Sequence, residues 1–395
     1  MTIRRMIRHL DDALTGRRPV YRILVDSRTA VNYEMVAPVV RAMEPDGRVR
    51  FTFTASEEPR NLEGIYRNAP PGTELIGPAR AALVKWDAYL TSDFMWAMLP
   101  RGTVRIQMFH GVAGKYGFDA PEGSMREWHR FFFVNERRLR NFVACGAIDA
   151  DSPAPRLVGM PKVDCLVNGS LRRDAILEQL GLDPARPTVL YAPTWSPASS
   201  LNVMGEALLE RLTAMPINLL VKLHDRSRDP RPRYSGGVDW PARLAPKLAG
   251  PHAQLAGGAN IAPYLAAADV MVSDHSSAAF EYLLLDRPLV RIELPELVAQ
   301  ANVHPDYVQL LADASHNVTS PEQAAHAIER AIADPAPLSA ARQRVASDLF
   351  YRPGTAAARC AAALYEVVGL PVHSSVASLL GPDTVGDRQP CLQSA

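Results

Sequence analysis

The segment from Ala268 to Tyr282 contains the densest group of side chains able to bind an anion. An apolar strand ends just before Asp274, and either Asp274 or Ser276 is a suitable N-cap for the helix that follows. The N–H groups at the start of that helix, with the Ser276 and Ser277 hydroxyls, form a site for a diphosphate. Glu281, further along the helix, can accept hydrogen bonds from ribose hydroxyls. The alternative is that these residues only cap the helix.

His110 lies where a strand over Val104–Phe109 meets a loop that begins at Gly111. An imidazole titrates near neutral pH and can take a proton from a hydroxyl, so this position suits a general base. Gly111 and Gly114 let a reactant approach the backbone closely, and Lys115 follows them. The sequence therefore predicts a reactive histidine beside a flexible loop.

His224 ends a second strand, over Ile217–Leu223, and Lys222 precedes it by two residues. Side chains two apart in a regular strand point to the same face, so these two could share one phosphate. Thr194, in the run Tyr191–Ser196, also follows a strand and could cap a phosphate or a helix. A lone histidine is more often structural, but the strand-end position distinguishes His110 and His224 from the other histidines.

Short β-rich runs alternate along the chain with longer stretches that can form helices. This alternation indicates βαβ units, mostly parallel sheets and the α/β fold class. The runs Asp87–Asp93 and Asp269–Asp274 both open on Asp and end on Ser-Asp, and we expect both ends to face one cleft between two domains. The predicted strands are Tyr21–Asp26, Val49–Thr54, Trp86–Ser92, Val104–Phe109, Phe131–Asn135, Thr188–Ala192, Ile217–Leu223, Val270–Ser273 and Leu289–Ile292.

The length of 395 residues exceeds what a single hydrophobic core usually spans, so two domains are expected. We predict a basic amphipathic helix over residues 1–18, α/β domains over 19–180 and 181–370, and a disordered tail over 371–395. The segment Arg156–Lys162 with Asp164 is either a hinge-like loop between the domains or a ligand contact.

The first eighteen residues place five arginines among apolar residues at helical spacing. Such a helix can rest on an anionic membrane surface, which would make the protein peripheral to the inner face of the membrane. Alternatively it packs on its own domain, and Asp11 and Asp12 favour this second interpretation.

Composition excludes several classes of function. A net charge of +1 argues against nucleic-acid binding by a broad basic surface. The four cysteines are far apart, which argues against structural zinc and a disulfide framework. No carboxylate cluster with metal-ligand spacing lies near the two histidines, so no tightly bound metal is predicted. Without a spanning segment or secretory signal, we expect a cytoplasmic protein.

Five motifs taken together resemble the CDP-glycerol glycerophosphotransferase family of teichoic-acid-type polymer synthesis. Their order and spacing match as a set over roughly residues 100 to 360. The motifs are His110-Gly111, Gly159–Asp164, Tyr191–Trp195, Lys222–His224, and Ala268–Ser277 with Phe280-Glu281.

The resemblance implies a GT-B-like fold of two facing Rossmann-like domains. It also implies transfer of glycerol phosphate from CDP-glycerol, or of another polyol phosphate from a related CDP-polyol, to a glycan or lipid-linked polymer, without a tightly bound cofactor. By resemblance, His110 and the loop with Gly111, Gly114 and Lys115 serve the acceptor. The donor diphosphate would be held by His224 with Ser276 and Ser277 and the ribose by Glu281, with Thr194, Lys222 and Asp274 nearby.

The chain departs from the family pattern at Asp225, where proline is usual, and at His275, where tyrosine is common. The second change adds an ionisable group at a helix start and leaves the donor open. A glycosyltransferase or epimerase that uses a nucleotide sugar is one alternative with the same fold. The other is a non-catalytic protein that only binds a nucleotide or polymer.

Overall fold

The computed structural model describes residues 6, 10, 13–14, 20–117, 119, 121 and 125–380. Of the helix predicted over residues 1–18, it describes Met6, Leu10, Ala13 and Leu14, which are helical and exposed. The other residues of that segment lie outside the described part. No helix among the described residues is both long and apolar enough to cross a membrane.

The first of two compact units contains a sheet of seven strands that all pair in parallel. The strands are β1 (Tyr21–Asp26), β2 (Val49–Thr54), β3 (Glu74–Leu75), β4 (Ala88–Thr91), β5 (Val104–Met108), β6 (Arg130–Phe133) and β7 (Pro155–Leu157). Their order in the sheet is β3-β2-β1-β4-β5-β6-β7. The central strands are apolar because helices cover both faces of a parallel sheet. Ile23, Leu24 and Val25 of β1, for example, are fully buried.

Helix Ala30–Met43 begins at Thr29, whose hydroxyl accepts the Asn32 N–H as an N-cap. Helix Ala356–Val368 packs against it and ends at Gly369, in the left-handed conformation typical of helix C-termini. The other helices of this unit are Leu62–Ile65, Pro78–Ala81, Glu136–Ala144 and Ser374–Leu380, with 3-10 turns at Pro59–Asn61 and Pro161–Val163.

The second unit contains six parallel strands, β8 (Thr188–Tyr191), β9 (Asn218–Val221), β10 (Ala253–Leu255), β11 (Val270–Ser273), β12 (Leu289–Ile292) and β13 (His316–Val318). Their order is β10-β9-β8-β11-β12-β13. Leucines of helix Ser200–Thr213 and alanines of helix Pro321–Ala333 join the strands in one buried core. The remaining helices are Asp164–Val167, which begins at the last residue of the first unit, and Arg173–Gln179, Pro232–Ser235, Trp240–Leu244, Ala262–Ala267, Ser277–Tyr282, Pro295–Gln300, Pro305–Asp313 and Ser339–Leu349, with 3-10 turns at Asp225–Arg228, Ala245–Leu248 and Leu283–Leu285.

Both sheets confirm the predicted α/β class with parallel strands, and both reverse strand order at one point. The first reverses between β1 and β4, and the second reverses between β8 and β11. In open parallel sheets the loops at the carboxyl ends of such a strand pair form a crevice that holds ligands. Within the second unit this places Thr194, after β8, near Asp274, after β11.

The division of the chain into units differs from the predicted domain boundaries. The first unit comprises residues up to His110, 120–164 and 350 onward, and the second comprises Gly111–Asp119 and Cys165–Leu349. Residues 165–180 join the second unit because Arg173 forms an ion pair with Asp269 at 2.8 Å. The chain returns to the first unit after Leu349, where the Tyr365 hydroxyl donates to Asp46 at 2.8 Å.

Part of the predicted tail is ordered. Helix Ser374–Leu380 packs against helix Ala30–Met43, and the Ser375 hydroxyl donates to the Ala42 carbonyl at 3.4 Å. The prediction of disorder over 371–395 is therefore wrong for this helix, since its buried Val376 anchors it. Residues 381–395 lie outside the described part.

Asp164 has a structural role within the first unit. Its carboxylate accepts the backbone N–H groups of Gly354 (2.8 Å), Ala356 (3.1 Å) and Ala357 (2.8 Å) at the start of helix Ala356–Val368. These N–H groups have no acceptor within the helix, so the carboxylate caps them. Asp164 is therefore a helix cap, a role that the sequence analysis did not predict, and it is the last residue before the chain enters the second unit.

Replacing Asp164 with Ala is expected to lower the free energy of unfolding by about 2 to 3 kcal/mol, because three helix N–H groups lose their acceptor. Urea unfolding measures the change. Asp151→Ala, at an exposed aspartate of the same unit, is the matched control and should change stability by less than about 0.5 kcal/mol. Equal stabilities for the two variants would contradict the capping role.

Candidate functional site

His110 follows β5 in the first unit, and its protonation state is fixed by a backbone carbonyl. Nδ1 forms a short hydrogen bond with the Ser92 carbonyl oxygen. A carbonyl only accepts, so Nδ1 carries the proton and the other ring nitrogen, Nε2, carries a lone pair. No described residue forms a hydrogen bond with Nε2. The geometry therefore presents His110 as a proton acceptor.

Asp93 lies close to His110 and is itself paired with Arg28, which in turn contacts Glu57. One Asp93 oxygen lies 4.0 Å from His110 Nδ1, and the other forms an ion pair with Arg28 at 2.5 Å. Arg28 also binds both carboxylate oxygens of Glu57, at 2.7 and 2.9 Å. Glu57, Arg28 and Asp93 therefore form a chain of alternating charge within the first unit, and the Asp93 end of this chain lies beside His110.

The pKa of His110 is lowered chiefly by burial, which disfavours the charged imidazolium. The Asp93 carboxylate and the Ser92 carbonyl act in the opposite direction, and the positive charges of Lys162 and Arg138 add to the lowering. The ring is therefore neutral at neutral pH, as a general base requires.

His224, after β9 in the second unit, has the opposite tautomer. Its Nδ1 accepts the backbone N–H of Arg226 at 3.1 Å, so the proton of the neutral ring is on Nε2. Nε2 then donates, which suits contact with a phosphate oxygen. The two histidines singled out by the sequence thus present complementary groups: His110 presents an acceptor and His224 a donor.

Lys222 is a buried residue whose ammonium binds backbone carbonyls. This ammonium donates to the carbonyls of Leu223 at 3.1 Å and Gly258 at 2.8 Å. Burial lowers the pKa of Lys222 to about 8. These contacts tie β9 to the loop after β10, a role that the sequence did not predict. They do not support the prediction that Lys222 and His224 share a phosphate.

Asp274 is fully buried after β11. One of its oxygens accepts the Thr194 N–H at 2.8 Å, and the other accepts the N–H and hydroxyl of Ser200 at 3.0 and 2.8 Å. A carboxylate enclosed in this way cannot contact a ligand directly. Asp274 therefore holds the loop that carries Thr194 in place, in contrast to the predicted contact with the diphosphate.

Lys115 contacts Thr194 in the second unit, where the Lys115 ammonium donates to the Thr194 hydroxyl at 3.0 Å. Burial lowers the pKa of Lys115 to about 8, and the negative charge of Asp274 opposes that shift. The sequence placed Lys115 on the acceptor side of the first domain. By its contacts the loop Gly111–Asp119 belongs to the second unit, although it directly follows His110.

His275 anchors this loop and so explains the ionisable group that was unaccounted for in the sequence. Its Nε2–H donates to the Ala113 carbonyl at 2.8 Å, while the His304 N–H binds the Gly114 carbonyl and the Tyr116 N–H binds the Ala301 carbonyl, each at 2.9 Å. Burial lowers the pKa of His275 to about 3, so the ring is neutral. Its Nδ1 has no hydrogen-bond partner among the described residues.

Glycine is required at Gly114, which has a φ of +62° and where a Cβ would lie 2.3 Å from the Tyr307 ring. A Cβ on Gly111 would lie 3.0 Å from the Ser277 hydroxyl oxygen, a tight contact with a side chain. The close approach of the loop to the Tyr307 ring therefore depends on Gly114, and Gly111 brings the backbone close to Ser277.

The helix after Asp274 begins as the sequence predicted, but it extends only over Ser277–Tyr282. Ser276 is its N-cap and accepts the Ala279 N–H at 3.1 Å, which corresponds to the capping alternative. Glu281 is only 2% exposed and packs inside the unit. Ser277 is half-buried and is the hydroxyl of this segment beside the Gly111 loop.

The sequence analysis missed Arg28 and Glu57, the anchoring role of His275, and the packing of Tyr307 against Gly114. It named Asp93 only as the end of a Ser-Asp run, and it did not predict the position of this carboxylate beside His110. No set of three His, Cys, Asp or Glu side chains suited to a metal ion occurs in the described part of the chain.

A protein-family model described as CDP-Glycerol:Poly(glycerophosphate) glycerophosphotransferase matches residues 8–352. No curated protein sequence matches the chain.

Among solved structures, the wall teichoic acid polymerase TagF is similar, with a TM-score of 0.66, 15% identity, and coverage of 93% of this chain and 94% of that chain. A TagF variant soaked with CDPG has a TM-score of 0.67 and 15% identity over the same shares. A putative UDP-N-acetylglucosamine 2-epimerase from Listeria monocytogenes has a TM-score of 0.56 and 14% identity, with coverage of 88% and 96%. These matches confirm the predicted GT-B-like fold.

Replacing His275 with Phe keeps a ring of similar size but removes the N–H that the Ala113 carbonyl accepts. The unpaired carbonyl should free the loop, so the amides of Tyr116 and His304 should exchange with deuterium about tenfold faster or more. Hydrogen-exchange mass spectrometry measures this. His275→Gln retains a donor and should keep most of the protection, and unchanged exchange in His275→Phe would contradict the anchoring role.

The same position should govern acid stability. Histidine in the unfolded chain has a pKa of about 6.5, whereas burial keeps the pKa of His275 at about 3 in the fold. Between these values the unfolded state binds a proton that the folded state does not, so stability falls as the pH falls. His275→Gln should therefore lose less stability than the parent chain over this pH range in urea unfolding.

Proposed function

Because the chain belongs to the CDP-glycerol:poly(glycerophosphate) glycerophosphotransferase family, we propose that His110 and His224 carry the transfer of glycerol phosphate from CDP-glycerol to an acceptor hydroxyl. The family match confirms the resemblance inferred from the motifs, the enzyme class, and a role in teichoic-acid-type polymer synthesis. It does not favour the alternative of a nucleotide-sugar enzyme, although the epimerases share the fold.

In the reaction, an acceptor oxygen forms a bond to the β-phosphorus of CDP-glycerol while the bond from that phosphorus to CMP breaks. His110 Nε2 takes the proton of the acceptor hydroxyl, and CMP leaves with the electron pair of the broken bond. His224, through its Nε2–H, and the Ser277 hydroxyl donate to the diphosphate oxygens where negative charge develops. Ser276, Asp274 and Thr194 shape the loop and helix start that carry these donors.

The family match over residues 8–352 is the observation that carries this proposal. The opposite tautomers support the two roles, since a general base needs a lone pair and a diphosphate contact needs a proton. One of the similar TagF structures is that of a variant soaked with CDPG, which supports the choice of donor.

We propose a polymer acceptor that carries phosphodiesters, as the family description implies, and no requirement for a tightly bound metal. We further propose that the enzyme works in the cytoplasm in peripheral contact with the membrane. Met6, Leu10 and Leu14 support this placement, because they are exposed and recur at the spacing of one helical face.

Transfer is tested with CDP-glycerol labelled in the glycerol phosphate and a poly(glycerophosphate) acceptor. Wild-type enzyme should release CMP and place label in the polymer. His110→Ala and His224→Ala should each lower kcat by about a hundredfold or more, because each removes a group that acts in the transition state.

His326→Ala, at an exposed histidine paired with Glu329, is the control and should retain wild-type kinetics. Release of a nucleoside diphosphate without label in the polymer would refute the phosphotransferase. Normal turnover by both histidine variants would refute the assigned roles while leaving the activity intact.

Asp93→Asn removes the negative charge beside His110 without changing side-chain size. A carboxylate stabilises the imidazolium, so its loss should lower the pKa of His110 further and move the acid limb of the kcat/KM profile to lower pH. The plateau rate should fall by about tenfold or more through weaker orientation of the ring. Glu57→Gln, at the exposed end of the same chain of charges, should leave the acid limb in place, and an unmoved limb in Asp93→Asn would show that Asp93 does not act on His110.

A further inference from the structure

The loop after His224 carries a concentration of positive charge that the reaction described above does not use. Four arginines occur between Asp225 and Arg233, with only Asp225 and Asp229 among them as acids. The net charge of the whole chain is +1, so this loop is a local feature and not part of a broadly basic surface.

Two of the four guanidinium groups have structural partners. Arg228 donates to the Ala256 carbonyl at 2.7 Å, and Arg231 forms an ion pair with Asp229 at 2.5 Å. Arg226 and Arg233 form no ion pair with any described residue. Their charge is therefore available to a ligand.

Aromatic rings hold these two guanidinium groups in place. Arg226 lies 4.4 Å from the centroid of the Trp195 ring and 5.4 Å from that of Tyr234, and Arg233 lies 4.5 Å from that of Tyr234. Arg231 lies 4.8 Å from the same Tyr234 centroid, but its charge is paired with Asp229. Trp195 meets Tyr234 edge to face at 5.7 Å and stacks with Tyr116 at 6.1 Å. We call Arg226, Arg233, Trp195, Tyr234 and Tyr116 the arginine–aromatic cluster.

Stacking on a ring orders a guanidinium plane yet leaves the N–H groups at its edge free to donate. Such a preordered group loses little entropy when it binds a phosphate, which it can contact with two parallel hydrogen bonds. Two of these groups around one Tyr234 ring suit a ligand with successive phosphates better than a ligand with a single one.

The cluster adjoins the donor residues of the second unit. Trp195 directly follows Thr194, and the backbone N–H of Arg226 is the group that fixes the His224 tautomer. Trp195 and His224 are also in ring contact at 6.3 Å. A ligand bound at the cluster therefore lies beside residues assigned to the reaction.

We propose that the arginine–aromatic cluster binds phosphodiester groups of the acceptor polymer, away from the hydroxyl that reacts. The proposal rests on the proposed function, from which it takes an acceptor with repeated phosphates. It makes Arg226 and Arg233 determinants of acceptor length, because the groups that they would bind are phosphodiesters beyond the reacting unit.

The first test compares acceptors of different length. Arg226→Gln should raise the KM for long poly(glycerophosphate) by about tenfold, since a charge-assisted contact is lost, and should reduce the preference for this acceptor over glycerol phosphate. Arg231→Gln removes the same charge from the same loop, but its guanidinium is already neutralised by Asp229, so its KM should stay within about twofold.

Three outcomes would overturn the proposal. An equal loss with both acceptors would show that Arg226 does not sense length. A raised KM for CDP-glycerol would assign Arg226 to the donor. An equal rise in KM for Arg226→Gln and Arg231→Gln would show that the loop acts only through nonspecific positive charge.

The second test measures binding without turnover. Lipid-free poly(glycerophosphate) is titrated into the full chain without donor and followed by calorimetry at several salt concentrations. Arg226→Gln should weaken binding about tenfold and lower the salt slope by about one, whereas Arg226→Lys, which keeps the charge and loses the plane, should fall between. Uncharged polyglycerol should not bind, and identical isotherms for wild type and Arg226→Gln would refute the site.

This titration separates the two proposals. If the wild type binds the polymer through Arg226 but transfers nothing from CDP-glycerol, the proposed function fails and the cluster stands. If transfer proceeds while Arg226→Gln binds the polymer as tightly as the wild type does, only the proposed role of the cluster is refuted.

Discussion

One hydrogen bond at Nδ1 of each candidate histidine decides what the other ring nitrogen can do. The Ser92 carbonyl requires a proton on Nδ1 of His110, and the Arg226 N–H requires a lone pair on Nδ1 of His224. Both partners are backbone groups, Ser92 directly after β4 and Arg226 in the 3-10 turn that follows β9, so the fold itself sets the proton positions. Any chemistry at these residues depends on the sheets that hold Ser92 and Arg226 where they are.

The central strands were predictable from the sequence and the edge strands were not. Each of the nine predicted runs overlaps an observed strand, because a buried parallel strand is a continuous apolar run. The four missed strands, β3, β7, β10 and β13, are the four edges of the two sheets. They have two or three residues each and are partly exposed, so neither length nor hydrophobicity distinguishes them from loops.

The sequence predicted those parts of the site that depend on strand ends and helix caps. The position of His110 after β5 and the cap at Ser276 follow from local pattern. The burial of a polar side chain does not follow from local pattern. Asp274, Glu281 and Lys222 are residue types that bind ligands, yet all three are buried. The hydrogen bonds that enclose such side chains join residues far apart in the sequence, up to 162 positions for His275 and Ala113. No local periodicity encodes pairs at this separation.

The return of the chain to the first unit after Leu349 has a consequence for biosynthesis. Helix Ala356–Val368 packs on helix Ala30–Met43 and is capped by Asp164, so the first unit is complete only when the ribosome has made residues up to 368. The sheet of the first unit is synthesised early but lacks this covering helix until later, while residues 165–349 can form their own core as they leave the exit tunnel. The order of folding should thus run against the order of translation, and a nascent chain stalled before residue 350 would expose the apolar face that this helix covers.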